Sequence, residues 1–100
     1  MSENKTLVEK RKEAVALRYD EKQADAPTVI AKGKGQVADQ ILKEAMGHQI
    51  PIQEDPSLVE LLSKLNINDK IPEELYKAVA EVFAFIYQAD KQASNKKKEK

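Results

Sequence analysis

The sequence has no cysteine and a single histidine among its 100 residues. Without cysteine the chain can form neither a disulfide nor a cysteine-ligated zinc site, and this fits a reducing compartment. No apolar run approaches the roughly eighteen residues that mark a membrane-spanning helix, and no apolar signal-peptide segment follows the polar residues 1–5. We therefore expect one small cytoplasmic domain without metal, cofactor or membrane span.

The side chains that usually carry catalysis are also scarce. His48 follows a glycine at a predicted helix end, where we expect an exposed residue. The spacing assembles no serine–histidine–aspartate set and no histidine–carboxylate cluster. The Gly33–Gly35 stretch precedes a helix but lacks the P-loop and dinucleotide-binding spacings, so we interpret it as a turn. These absences predict that the protein is not an enzyme.

Charge is balanced over the whole chain but unevenly distributed. Residues 91–100 carry five lysines and one glutamate, a net +4, so the other ninety residues of this neutral chain sum to −4. Such a tail is typical of a solvated, disordered end. Its functional alternative is an electrostatic tether. Because no aromatic residue accompanies the lysines, we expect no binding to nucleic acid.

Apolar spacing predicts an α/β domain with the order strand, strand, helix, strand, helix, helix. The strands are expected at 13–19, 28–32 and 50–54, and the helices at 36–46, at 56–65 and from 72 onward. The second strand, the first helix and the third strand form a βαβ unit whose strands should be parallel. Residues 13–19 alternate as a strand does, but their composition also suits a helix.

Local signals predict where the helices end and which faces they bury. Gly47 suits the position after the first helix, and Asp55 with Pro56 suits the start of the second. The second helix is expected to bury a leucine stripe: Leu58, Leu61, Leu62 and Leu65. The last helix has a wide apolar face, which predicts either several neighbours or a partly exposed apolar patch.

Four stretches carry a family resemblance: AVALRYD, APTVIAKG, IPIQEDPSLVELL and IPEELYKAVAEVFAFIY. Together they resemble the cytoplasmic domain of the FlhB family of flagellar type III export, whose injectisome relatives are the YscU and SpaS group. The resemblance spans residues 5–89, without the family's transmembrane domain, and so points to a stand-alone FlhB-like protein of the FlhX type. It implies a small mixed sheet of three to four strands, with a βαβ crossover, flanked by three to four helices. Residues 13–90 would form this domain, between a variable segment 1–12 and the tail 91–100.

The family's signature is a self-cleaving Asn-Pro-Thr-His loop, in which the asparagine cyclises onto its own backbone carbonyl and cuts before the proline. That chemistry needs a side-chain amide and a strained turn. On this sequence the four positions fall on Glu9, Lys10, Arg11 and Lys12. A carboxylate is a poor nucleophile for succinimide formation, and Lys10 lacks the tertiary amide of proline. The resemblance therefore implies no self-cleavage, with a residual auto-protease as the alternative. Residues 1–12 stay open as a vestigial strand, a loop or a helix.

A second family feature is a small apolar patch that docks a short hydrophobic motif of export substrates. Its positions fall on Ala26, Pro27, Ala80 and Phe83, where the family's leucine has become Phe83. The plain alternative is that the two helical residues only pack the core. The resemblance implies a non-cleaving, monomeric binding module for flagellar export substrates or export-apparatus proteins. The alternative function is an orphan α/β interaction domain tethered by its basic tail.

Overall fold

Four strands form one mixed sheet in the computed structural model, which describes residues 4–10, 12–19 and 26–85. The strands are β1 (Asn4–Lys10), β2 (Glu13–Tyr19), β3 (Thr28–Lys34) and β4 (Ile52–Glu54). Their spatial order is β3-β2-β1-β4. β2 pairs antiparallel with both β1 and β3, whereas β4 pairs parallel with β1. The α/β class and the mixed sheet expected from the sequence are confirmed.

Residues 4–10 adopt the strand alternative, and β1 lies inside the sheet between β2 and β4. Its last pair with β2 joins Lys10 to Glu13, so a two-residue loop closes the hairpin. β2 is buried on both faces, with Ala14 on one and Val15 on the other. This burial explains why a segment of helix-forming composition is a strand: both alternating sets of its side chains pack on neighbours.

Helices cover both faces of the sheet. Helix α1 (Gln36–Gly47) packs on one face, where Leu7 of β1 meets small residues of β2 and α1. Helix α2 (Pro56–Leu62) and the helical residues 76–85, called α3, pack on the other face. A 3₁₀ turn (Glu73–Leu75) leads into α3. The larger core lies on this second face and contains Val8, Val15, Leu17, Val29, Leu58, Val59, Leu62, Ile71, Val79 and Val82.

The predicted βαβ unit is present in an interrupted form. β4 is parallel to β1. β3 has the same direction as β1, because both are antiparallel to β2. β3 and β4 therefore run in the same direction. The parallel orientation is therefore confirmed. The two strands are not neighbours, however, since β2 and β1 lie between them.

The end of α1 differs from the prediction. Gly47 is the last helical residue, and the left-handed conformation falls on Gln49, with φ of 58°. The Ile50 N–H donates to the Ala45 carbonyl at 2.8 Å, and the Gln49 N–H donates to the Met46 carbonyl at 3.3 Å. These are the two bonds of a Schellman ending. The prediction that Gly47 is the first residue after the helix is therefore wrong, because Gln49, two residues later, takes that position.

The start of α2 is as predicted, and its buried stripe differs from the prediction only at Leu61, since Leu65 also packs against the larger core. The Asp55 carboxylate accepts a hydrogen bond from the Leu58 N–H at 3.1 Å, and Pro56 opens the helix. Leu58 and Leu62 are buried, whereas Leu61 is exposed and Val59 is fully buried in its place. The helix lies across the sheet so that its inner face includes Val59.

The part of α3 that the structure describes buries Val79 and Val82, while Ala80, Ala84 and Phe85 are exposed. The partly exposed patch predicted for this helix is therefore present. Among the described residues, no helix combines the length and the apolar character needed to cross a membrane. The predicted tail at 91–100 lies outside the described residues.

Candidate functional site

The positions that align with the family's cleavage loop form the tip of the β1–β2 hairpin. Glu9 and Lys10 end β1, and Lys12 lies in the turn with φ of 62°. Arg11 lies outside the described residues. The hairpin tip is bonded on both sides: the Asp55 N–H donates to the Glu9 carbonyl at 3.0 Å, and the Gly35 N–H donates to the Lys12 carbonyl at 2.8 Å. The starts of both α1 and α2 thus hold the tip in place.

Charge pairing explains how this charged segment can enter a core strand. Glu13 is 8% exposed at the start of β2. In the sheet register it lies between Lys10 on β1 and Lys34 on β3. The Lys10 Nζ is 3.7 Å from a Glu13 carboxylate oxygen. The Lys10 ammonium thus compensates the Glu13 carboxylate, as a buried acid requires.

At Glu9 and Lys10 the backbone is regular strand rather than a strained turn before a proline. The Leu7 N–H and the Glu9 carbonyl both bond toward β4. Because successive residues of a strand point their backbone groups in opposite directions, the Lys10 amide points toward β2 and pairs within the hairpin. A proline could not make that bond. The side chain at position 9 is a carboxylate, and the peptide bond after it lies within the ladder.

The first half of the predicted apolar patch lies at the start of β3. Ala26 is buried at 2% exposure, so its side chain cannot contact a ligand, whereas Pro27 is half-buried. The Pro27 carbonyl accepts a hydrogen bond from the Ile71 N–H at 2.9 Å. Ile71 belongs to the larger core. The loop before α3 therefore fixes the position of Pro27.

The second half of the patch lies on α3. Ala80 is exposed, and Phe83 is half-buried and packs against the larger core. Residues three positions apart share one helix face, so Ala80 and Phe83 belong to the same surface. Val79 and Val82 are buried on the adjacent face of the helix and anchor it to the core. The Phe83 side chain therefore packs partly against the core and is partly exposed at the surface.

Tyr19 ends β2 and is not among the residues that the family resemblance assigns to the patch. Its ring is tilted at 53° to the Phe83 ring, with centroids 5.9 Å apart. The preceding residue, Arg18, pairs with Thr28, which directly follows Pro27. The alternation of residues 13–19 carried this signal, since it places Tyr19 on the face that α3 covers.

Within the described part of the chain, no three histidine, aspartate or glutamate side chains are grouped to hold a metal ion. Phe83 contacts the Tyr19 ring and the larger core, and Ala80 is exposed on the same helix.

This arrangement, a four-stranded mixed sheet with one helix on one face and two on the other, is the fold of the FlhB cytoplasmic domain. The structure is similar to the crystal structure of that domain from Shewanella putrefaciens, with a TM-score of 0.84 and 35% sequence identity. The similarity covers 90% of this chain and 70% of that one. The sequence model of the FlhB HrpN YscU SpaS family matches residues 11–86, and the chain belongs to this family.

Two relatives define the extent of the similarity. The uncharacterized protein YlqH of Bacillus subtilis is 57% identical over 86 residues, which is 86% of this chain and 92% of YlqH. The flagellar biosynthetic protein FlhB of Buchnera aphidicola is 48% identical over 79 residues, which is 78% of this chain but 21% of that protein. The chain thus spans about a fifth of this FlhB. The resemblance to the FlhB cytoplasmic domain is confirmed, and it relates the chain to flagellar protein export.

Proposed function

We propose that this domain is a docking module of flagellar type III export that binds a short apolar segment of an export substrate or of an export-apparatus protein. The observation that supports this most is the partly exposed apolar face of α3, where Phe83 contacts Tyr19 at the end of β2. Ala80 is exposed and Phe83 is half-buried there, on a helix whose adjacent face is fixed in the core. By its likeness to a cytoplasmic domain, we place the protein on the cytoplasmic side of the membrane.

The composition of the surface sets the kind of binding. The docking surface, meaning Pro27, Ala80 and Phe83, has no charged member. Association through it should therefore depend little on salt, because screening acts on charges and not on apolar burial. The surface is small, so binding should be weak and reversible, in the range of transient protein contacts.

The test is a fluorescence-anisotropy titration of a labelled N-terminal peptide of a rod or hook protein onto the domain. We expect Ala80→Asp to weaken binding at least tenfold, because it buries an unpaired charge against the apolar ligand. Ala80 is exposed, so this change leaves the core intact. The double variant Ala80→Asp/Phe83→Asp should abolish binding.

The matched control places the same two charges elsewhere. Val37 and Met46 are exposed apolar residues on α1, at 51% and 65% exposure, on the opposite face of the sheet. Val37→Asp/Met46→Asp should bind the peptide as the wild type does. If Ala80→Asp/Phe83→Asp binds the peptide with wild-type affinity, the assignment of the docking surface is wrong.

We propose further that the protein acts uncut. Three features support this: a carboxylate at Glu9, a regular ladder through Lys10, and a hairpin tip bonded to both helix starts. Intact-mass spectrometry of the purified chain after several days at physiological temperature tests it. We expect a single species of full mass. A fragment ending at Glu9 would instead establish the residual auto-protease.

A further inference from the structure

The two halves of the docking surface come from distant parts of the chain, and Tyr19 is close to both. Its ring contacts Phe83 on α3, and its neighbour Arg18 pairs with Thr28, the residue after Pro27. We propose that Tyr19 is itself a binding residue, which joins Pro27 and Phe83 into one continuous surface and contacts the apolar side chain of the docked peptide. This inference rests on the proposed docking function.

The placement of Tyr19 suits contact with a ligand better than a purely structural role. Tyr19 is half-buried, whereas Val15 and Leu17, which precede it on the same face of β2, are fully buried. On this face of β2, Val15 and Leu17 therefore lie in the core and Tyr19 reaches the protein surface. The tilted arrangement with Phe83 is a favourable geometry for two aromatic rings, and it holds the Tyr19 ring in one orientation.

The chemistry of tyrosine also indicates the kind of ligand. Its ring offers apolar contact with little loss of side-chain freedom, and its hydroxyl can bond to a peptide group. A peptide that places an aliphatic side chain against the two rings would therefore meet a polar group at the rim. This combination fits a short apolar segment of a protein chain.

The experiment compares Tyr19→Ala and Tyr19→Phe in the peptide titration described above, with intermolecular NOEs measured between peptide methyl groups and aromatic ring protons. Tyr19→Ala should weaken binding about tenfold, as expected for loss of an aromatic contact at a binding surface. Tyr19→Phe keeps the ring and should stay within about threefold of the wild type. NOEs should reach the rings of both Tyr19 and Phe83.

The outcomes separate this inference from the docking function. If the peptide binds with NOEs to Phe83 but none to Tyr19, docking stands and the role of Tyr19 is wrong. If Tyr19→Ala binds as the wild type does while Ala80→Asp does not, the same conclusion follows. If the wild type does not bind at all, docking fails and the inference fails with it. Thermal unfolding of both Tyr19 variants checks that they remain folded at the temperature of the titration.

Discussion

Replacing Leu7 with alanine should destabilise the domain strongly, because β1 is an interior strand of the sheet. Leu7 is fully buried on the face covered by α1. The other buried members of its cluster are alanines: Ala14, Ala38 and Ala45. Leu7 is thus the large fully buried side chain of that cluster, and the larger side chains packed against it, Ile41, Leu42 and Ile50, are only partly buried. Its alanine neighbours have no side-chain length with which to fill a void.

The magnitude follows from this packing. Leucine-to-alanine changes in protein cores cost about 2–5 kcal/mol, and more where the site cannot collapse. We expect about 3 kcal/mol for Leu7→Ala. A domain of this size has a free energy of unfolding near the low end of about 5–15 kcal/mol, so the variant should keep less than half of it. The corresponding fall in melting temperature is about 15 °C.

Urea unfolding followed by far-ultraviolet circular dichroism measures this loss, and Ile52→Ala is the matched control. Ile52 is the β4 partner of Leu7 in the sheet register, but it is 37% exposed. Its truncation should cost less than about 1 kcal/mol. If Leu7→Ala is no less stable than Ile52→Ala, residues 4–10 do not belong to the folded sheet and the interior placement of β1 is wrong.

Three further changes should alter stability in predictable directions. The Lys32 Nζ donates to the carbonyls of Ser63 and Leu65, at 3.0 and 2.6 Å, beyond the end of α2. Lys32→Met should therefore cost about 1–2 kcal/mol in urea unfolding, whereas Lys43→Met, at an exposed position on α1, should stay within about 0.5 kcal/mol. Equal effects would contradict the role of Lys32. Asp55→Ala removes the side-chain acceptor at the start of α2 and should lower the free energy of unfolding by about 1 kcal/mol. Calorimetry measures this loss, and the control Asp55→Asn should stay close to the wild type. An alanine variant as stable as the wild type would show that this cap contributes nothing. Gln49→Gly should raise the free energy of unfolding by about 1 kcal/mol, because Gln49 has a left-handed backbone that glycine adopts without strain. A lower melting temperature for the glycine variant than for the wild type would refute the assigned Schellman ending.

Much of the fold could be predicted because it depends on local periodicity. The strand at 28–34, the helix at 36–47 and the capping aspartate at position 55 all have patterns that short stretches of sequence carry by themselves. The α/β class followed from their order. The parallel orientation of β3 and β4 followed from the crossover rule, although their separation by two strands did not.

The rest depended on long-range packing that no local pattern records. Residues 13–19 have a helical composition, and β1 and β3 on either side of them select the strand. Val59 rather than Leu61 lies on the inner face of α2, because the packing of that helix against β1 and β2 decides which side is covered. Gln49 takes a conformation usual for glycine because the chain must turn there to reach β4.

The candidate site was predictable only in part. Pro27, Ala80 and Phe83 came from the family resemblance, and the structure shows that Ala26 beside them is buried. Tyr19 was missed as a site residue because its contact with Phe83 joins segments far apart in the sequence. The alternation of β2 placed Tyr19 on the correct face, and only the position of α3 shows what it meets there.

The central claim is that an apolar peptide docks on the surface formed by Pro27, Ala80 and Phe83. The most direct test is nuclear magnetic resonance mapping of the ¹⁵N-labelled domain during titration with the rod or hook peptide. We expect the amide shifts of Ala80 and Phe83 to move together and saturably, while those of α1 stay unchanged. Shifts that instead cluster on α1, across the sheet from α3, would contradict the claim.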